Sequence, residues 1–468
     1  MRICLLSDGY PPWERGGAQR IAAQLAEGYA ERGHETHVVT TVPDRGETGR
    51  SVADGVVVHR LWTPRCRAVL PYLTLRNPLI ERALPDVLVD VAPDIVHAHN
   101  VHYLSNASLR IADEHGLPIV KTFHDAGTVS YGELTTVAER APVDIRPGPA
   151  ETETETAGDP SAQPEALAID GGASASADPV SVSESDTGAN ALPAAAYRVS
   201  PVQQAIEQGA RYLPARTEMN RRCLAARVDV GVAVSEALRR GLAVNGVECE
   251  RVIHNGIDAS RFERPDPDAP SEAAFRRRHG LEDAPFVLFG GRTSDEKGGA
   301  YLAAAFERLV DDGVDARLLV TGDDGYVERM RAVAGPAADR IVSPGWLPRP
   351  ALRTAFRSAR VVASPSVHLD PFPTVNLEAF AAGTPVVTTA FGGASELVDD
   401  GVNGRVVDPR NVSALADALE SFLVGPERAT AFGTAGRETV RDRFTVAEQV
   451  AVSLDLLEAV WTGDRPPD

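Results

Sequence analysis

The sequence predicts an α/β protein built from two Rossmann-like, doubly wound parallel sheets that face each other across a cleft. Three observations carry that expectation. Short apolar runs alternate with longer amphipathic ones, the alternation restarts near residue 285, and a Pro- and Asp-rich stretch separates the two series. Strand–helix–strand alternation builds parallel sheets with ligands at the carboxyl ends of the strands, and a cleft between two such units is where small molecules bind. The expected boundaries are 1–250 for the first domain, 251–284 for the linker, 285–445 for the second domain, and 446–468 for a closing helix and tail at the junction.

In the first series Arg2–Leu6 reads as a strand and 18–32 as a helix, with Ile21, Leu25 and Tyr29 on one face. Gly33 ends that helix. Strands follow at 37–41, 55–61, 94–99 and 118–124, with a helix at 105–115, and then strands at 228–235 and 250–254. The second series places strands at 286–291, 316–322, 340–343, 360–364, 385–390 and 404–407, and helices at 427–443 and 447–460 close the chain. Asp266 and Asp268 form a D-x-D, but in a proline-rich linker it reads as a solvated turn.

The chain has 468 residues and a formal charge of −19, which argues against a general nucleic-acid binder. Among 47 basic residues only Lys121 and Lys297 are lysine, and such an acid-rich, lysine-poor, halophile-like composition suits high ionic strength. Cys4, Cys66, Cys223 and Cys249 lack metal or disulfide-framework spacing. MRICLLSDGYPP reads as a strand and turn rather than a signal peptide, and no uncharged apolar run of about 18 residues occurs, so a cytoplasmic protein is expected. From Pro147 to Ala196 there are nine acidic residues and no Lys, Arg or aromatic residue. That composition cannot bury enough apolar area to offset ordering, so a disordered acidic insertion is expected at about 141–200.

Candidate chemistry concentrates in SVHLDPFPTVNLEAFAAGTPVVTTA, residues 366–390. A helix entering near Thr374, behind Pro371 and Pro373, would aim the amides of Thr374, Val375 and Asn376 at an anion, best a phosphate. Glu378, one turn in, could reach a sugar hydroxyl. In FGGRTSDEKGG (289–299), Arg292 and Lys297 can both face a departing diphosphate. Gly16 and Gly17 would let backbone approach a ligand closely, while no G-x-G-x-x-G follows a strand, so a dinucleotide cofactor is not indicated. His97 and His99 share a strand face, with His99 nearer the carboxyl end; no further metal ligand is apparent nearby. Lys121, His124 and Asp125 stand at the next strand end.

These stretches resemble the GT4 family of retaining, GT-B-fold glycosyltransferases. D-x7-E at Asp370 and Glu378 is similar to the family's E-x7-E, with Asp in the first place, and GTPVVTTAFGGASELVDDGVNG continues the pattern. GGRTSDEKGG is similar to G-R-x4-K-G, GGAQR to G-G-x-E/Q-R, HAH to H-x-H, TFHD to T-x-H-D, and VIHNGID to V-I-x-N-G-[IV]-D, with His254 where Pro is usual. The resemblance implies sugar transfer from a nucleoside-diphosphate sugar with retention of configuration, no required cofactor and no metal. It places Arg292, Lys297 and Gly291 on the diphosphate, Glu378 on the ribose, and Asp370 on the donor sugar. It also gives His99, ahead of His124, the contact from the acceptor side, with the Gly16–Gly17 loop beneath donor or acceptor. The acceptor class stays open between glycan, lipid carrier and small molecule. A sugar-nucleotide epimerase, a glycoside hydrolase using Asp370 and Glu378, and a non-catalytic binding protein are the competing expectations.

Residues 55–80 carry Arg60, Arg65, Arg67 and Arg76 with Trp62 and Tyr72 and no acid before Glu81. Two readings stand: a patch for peripheral contact with an anionic membrane, or an ordinary strand and loop whose arginines pair within the fold. Replacing 150–195 by a short Gly/Ser linker should leave the melting temperature unchanged, because loop length alters closure entropy only slowly. A fall of more than about 8 °C in a thermal melt would contradict the insertion reading.

Overall fold

The computed structural model describes residues 1–13, 16–65, 69–131, 194–263, 266–282, 284–290 and 294–464. The acidic stretch, Arg67, Gly291 and Arg292 lie outside the described residues. The described residues form one compact body holding two sheets.

The first sheet has strands β1 (Arg2–Leu6), β2 (Glu35–Val42), β3 (Gly49–Ala53), β4 (Val56–Trp62), β5 (Ile95–Ala98), β6 (Ile119–Phe123), β7 (Val230–Ala233) and β8 (Arg251–Val252). Their order is β3-β4-β2-β1-β5-β6-β7-β8, parallel except for the β3–β4 hairpin. The second has β9 (Phe286–Phe289), β10 (Arg317–Thr321), β11 (Ile341–Gly345), β12 (Val361–Ser364), β13 (Val386–Thr389) and β14 (Gly404–Val407). Its order is β11-β10-β9-β12-β13-β14, all parallel. Strands such as FVLF and VVAS are buried throughout, as parallel strands covered by helices on both faces must be. Strand order reverses between β1 and β5 and between β9 and β12. At such a switch point the loops diverge and leave a crevice for a ligand.

Two details depart from the expected elements. The hairpin β3–β4 replaces a lone strand: Asp54 and Gly55, at φ 50° and 76°, make its two-residue turn. Asp-Gly is a hairpin signal that alternation alone does not reveal. The acidic insertion does not run to its expected end at 200. Ala194–Tyr197 forms a 3₁₀ turn, Tyr197 is buried, and Asn245 donates to its carbonyl at 2.8 Å.

The end of the chain binds the two sheets to one another. The Pro426–Arg443 helix packs on the Thr374–Ala382 helix, where a Cβ on Gly436 would lie 2.4 Å from the Phe380 ring. The Val446–Thr462 helix then returns to the first sheet. Its Val450, Leu454 and Leu457 are buried with Ile3 and Leu5, and a Cβ on Gly28 would meet Val450 at 2.5 Å.

Candidate functional site

At the switch point of the second sheet, the loop after β9 and the loop after β12 press together. Gly298 has φ 76°, and a Cβ there would stand 1.9 Å from the Pro365 carbonyl oxygen, so only glycine permits this approach. Lys297 is thereby set on Asp370, donating from Nζ to Oδ2 at 2.7 Å, and Ser366 Oγ adds a second bond at 2.9 Å. Burial works to raise the Asp370 pKa. The Lys297 ammonium, with His368 and Ser366, overcomes it and holds the carboxyl down at about 2. Behind the loop, Gly393 N–H donates to the Asp370 carbonyl at 2.8 Å.

Thr374–Ala382 starts beside this pair, with Pro373 at its N-cap, no side-chain cap and no acidic residue in its first turn. Directly opposite begins the Gly17–Glu31 helix, with Gly16 at its N-cap and the same lack of side-chain cap and first-turn acid. A Cβ on Gly17 would lie 3.1 Å from Thr374 Oγ1. Two positive helix ends therefore converge, one from each sheet, in an arrangement suited to an anion. Asn376 does not join them as expected. Its N–H donates to the Pro373 carbonyl at 3.0 Å, and its buried side chain turns inward to Thr388 Oγ1. The first two residues of the helix, Thr374 and Val375, carry amides that the helix's own ladder leaves unused.

Glu378 is buried, and burial pushes its carboxyl up against the opposing charges of Arg20 and Arg353. Arg349 donates to its Oε1 at 3.0 Å, and Arg20 lies 3.5 Å away. These residues line a cavity of about 240 Å³ together with Gly17, Asp258, Arg353 and Thr374. Neither Arg20 nor Arg349 was among the expected site residues. Arg20 ends the GGAQR motif, and Arg349 follows β11 in GWLPRP, where nothing distinguishes it from the many surface arginines.

On the first sheet, His99 and His124 come together as buried, stacked rings, with Nδ1 and Nε2 2.9 Å apart. Burial holds both below the usual imidazole range, His124 at about 4. His124 lines a small cavity of about 30 Å³ with Asn100, His102, Lys121 and Asp125, and His99 is not among the lining residues. His97 is tied to Tyr29 OH at 3.1 Å and Thr122 Oγ1 at 2.8 Å, as a structural histidine. The described arginines of 55–80 are engaged within the fold. Arg65 donates to the carbonyls of Asp8 and Thr41 and stacks on Tyr103, Arg60 bonds Ser51 Oγ and the Pro11 carbonyl, and Arg76 pairs with Glu81. Of the two readings of that stretch, these contacts match the arginines turned to the fold.

Residues 271–439 match the family described as glycosyl transferases group 1, and residues 16–147 match the glycosyl transferase 4-like domain. The chain belongs to the group 1 (GT4) glycosyltransferases. Among curated relatives of this family, it is 36% identical over 197 residues to a GDP-mannose-dependent alpha-(1-6)-phosphatidylinositol monomannoside mannosyltransferase of Mycolicibacterium smegmatis, covering 40% of this chain and 51% of that one. It is also 36% identical over 231 residues to a D-inositol 3-phosphate glycosyltransferase of Xylanimonas cellulosilytica, covering 47% and 54%. The chain thus spans about half the length of the curated relatives it matches. The GT-B fold of this group 1 member is shared with sucrose-phosphate synthase from Thermosynechococcus elongatus, at TM-score 0.68 and 20% identity over 99% of this chain and all of that one. An Anabaena protein, HepE, solved with UDP, matches at 0.62 and 17% identity over 97% and 99%.

The Lys297–Asp370 pair sets a sign for stability against pH. A carboxyl held near 2 when folded, against 3.8 as its ordinary value, stabilises the protein above pH 4 and loses that contribution as pH falls through about 2. Asp370→Asn should therefore cost about 2 kcal/mol at pH 7. In urea unfolding the gap to wild type should narrow below pH 4, and a gap that widens on acidification would contradict the pairing.

Proposed function

We propose that this chain transfers a sugar from a nucleoside-diphosphate sugar to an acceptor with retention of anomeric configuration. The observation that carries the reading is the convergence of two uncapped helix N-termini, at Gly17 and Thr374, beside the Lys297–Asp370 pair. A diphosphate is the donor fragment that this arrangement fits, and fixed cationic and amide donors stabilise the charge it gains on leaving. Lys297 faces that charge, and Arg292, five residues earlier in the sequence, is the second cation assigned to it. Asp370, held ionised and oriented by Lys297, accepts hydrogen bonds from the sugar. Glu378 and its two arginines line the nucleoside side of the cleft, and the His99–His124 pair contacts the sugar from the acceptor side.

The bond from the anomeric carbon to the β-phosphate oxygen breaks, and the electron pair leaves with the diphosphate. The acceptor oxygen bonds the same face, and its proton passes to the departing phosphate oxygen. The relatives named for a GDP-sugar donor and the fold neighbour solved with UDP support a nucleoside-diphosphate donor. The acceptor is a glycan, a lipid carrier or a small molecule, a range that relatives named for phosphatidylinositol monomannoside and for D-inositol 3-phosphate support. A hydrolase built on Asp370 and Glu378 is disfavoured, because Lys297 ties up the first carboxylate and Arg349 and Arg20 the second.

Incubation with UDP-, GDP- and ADP-sugars and candidate acceptors, followed by NMR of the product's anomeric proton, tests this reading. Lys297→Ala should lower transfer by about two to three orders of magnitude, the scale of losing one preorganised donor. Wild-type rates in a folded Lys297→Ala protein, or inversion at the anomeric carbon, would sink it.

A further inference from the structure

The sequence replaces lysine by arginine almost everywhere, yet keeps two. One is Lys297. The other, Lys121, lies in the middle of β6, is 5% exposed, and donates from Nζ to the carbonyl oxygen of His99 at 2.7 Å. An ammonium is a compact point charge on a flexible stem, which suits a single backbone acceptor in a small buried space. We infer that Lys121 is a positioning residue for the transfer reaction: it fixes the backbone at the end of β5 and sets an ammonium under the His99–His124 pair. This inference rests on the role proposed above for that pair.

The pair has a property that makes its placement matter. His99 Nε2 and His124 Nδ1 are both buried and have no partner within the protein. Nδ1 of His99 and Nε2 of His124 share one proton across 2.9 Å. If His99 donates it, His99 Nε2 is an acceptor and His124 Nδ1 a donor; if His124 donates it, the roles reverse. Either way a neutral pair offers one donor and one acceptor, which suits sugar hydroxyls. A second proton on either ring would abolish the acceptor.

Burial disfavours that second proton, and so do the neighbouring His97 and the Lys121 charge. Burial brings Lys121 itself down to about 8, opposed by the carboxylates of Asp125 and Asp8. The thiols facing it, Cys223 and Cys249, are pushed up by burial and stay uncharged near neutral pH. Its remaining donors open onto the small cavity with Asn100, Asn106 and Asp125, whose volume of about 30 Å³ is room for a water.

The test combines long-range ¹H–¹⁵N NMR of the imidazoles with steady-state kinetics of wild type, Lys121→Met and Lys121→Arg. In wild type neither His99 nor His124 should take up a second proton above about pH 5. In Lys121→Met the protonation midpoint of the pair should rise, by on the order of one pH unit for loss of an adjacent charge. Its kcat should fall about 10- to 100-fold from a misplaced contact, with nucleoside-diphosphate affinity unchanged. Lys121→Arg, which keeps the charge, should keep the low midpoint; it and the wild-type titration decide the matter if Lys121→Met does not fold. An ordinary midpoint near 6.5 in wild type, a raised midpoint in Lys121→Arg, or a Lys121→Met enzyme with wild-type titration and kcat would each overturn the inference. Absence of any transfer by wild type would instead count against the proposed function, while the titrations would still decide the role of Lys121.

Discussion

The meeting of two helix N-termini, Gly17 from the first sheet and Thr374 from the second, is the contact on which the rest of the site depends. Each helix end carries partial positive charge from its first-turn amides, and neither is neutralised by a cap or a first-turn acid. Unrelieved, such ends repel. Holding them in van der Waals contact requires restraint elsewhere, and the fold provides it by closing the chain back over both sheets. The Val446–Thr462 helix clamps the Gly17–Glu31 helix at Gly28, and the Pro426–Arg443 helix clamps Thr374–Ala382 at Gly436.

A second restraint runs through the Gly392–Gly393 turn. A Cβ on Gly393 would lie 2.0 Å from the Pro371 carbonyl and 2.7 Å from Ser235 Cβ, so this turn wedges between the Asp370 loop and the first sheet's Glu236–Val244 helix. Three residues on, Glu396 accepts from the N–H groups of Glu236 and Ala237 at 2.8 and 2.9 Å, capping that helix from across the junction. His254 donates from Nε2 to the same carboxylate at 2.9 Å and packs its ring on Phe372 and Phe444. The Asp370 loop is therefore anchored on one side by Lys297 and on the other by a turn that belongs equally to the interdomain contact. A shift between the sheets is felt at Asp370 directly.

Much of this was legible from residue order. The parallel strands announced themselves as short apolar runs, because burial on both faces removes alternation. The rarity of lysine marked Lys297, and paired motifs marked Asp370, Glu378, His99 and His124. What the sequence hid was set by contacts between distant segments. The Lys297–Asp370 bond follows from the approach of Gly298 to Pro365, which no local pattern encodes. Arg20 and Arg349 stayed hidden because nearly every cation in the chain is arginine, so neither stands out. The arginines of 55–80 left two readings open, since composition does not tell an exposed guanidinium from one engaged within the fold, as Arg60 and Arg65 are. Asn376 looked like an anion donor until the bend at Pro373 took its amide.

The most direct test of the account is a crystal structure with a bound nucleoside diphosphate. The β-phosphate should lie about 3 Å from the amides of Thr374 and Val375, within hydrogen-bond reach, and beside Lys297 Nζ. A diphosphate seated elsewhere, with the Gly17–Thr374 contact and the Lys297–Asp370 pair untouched, would contradict it.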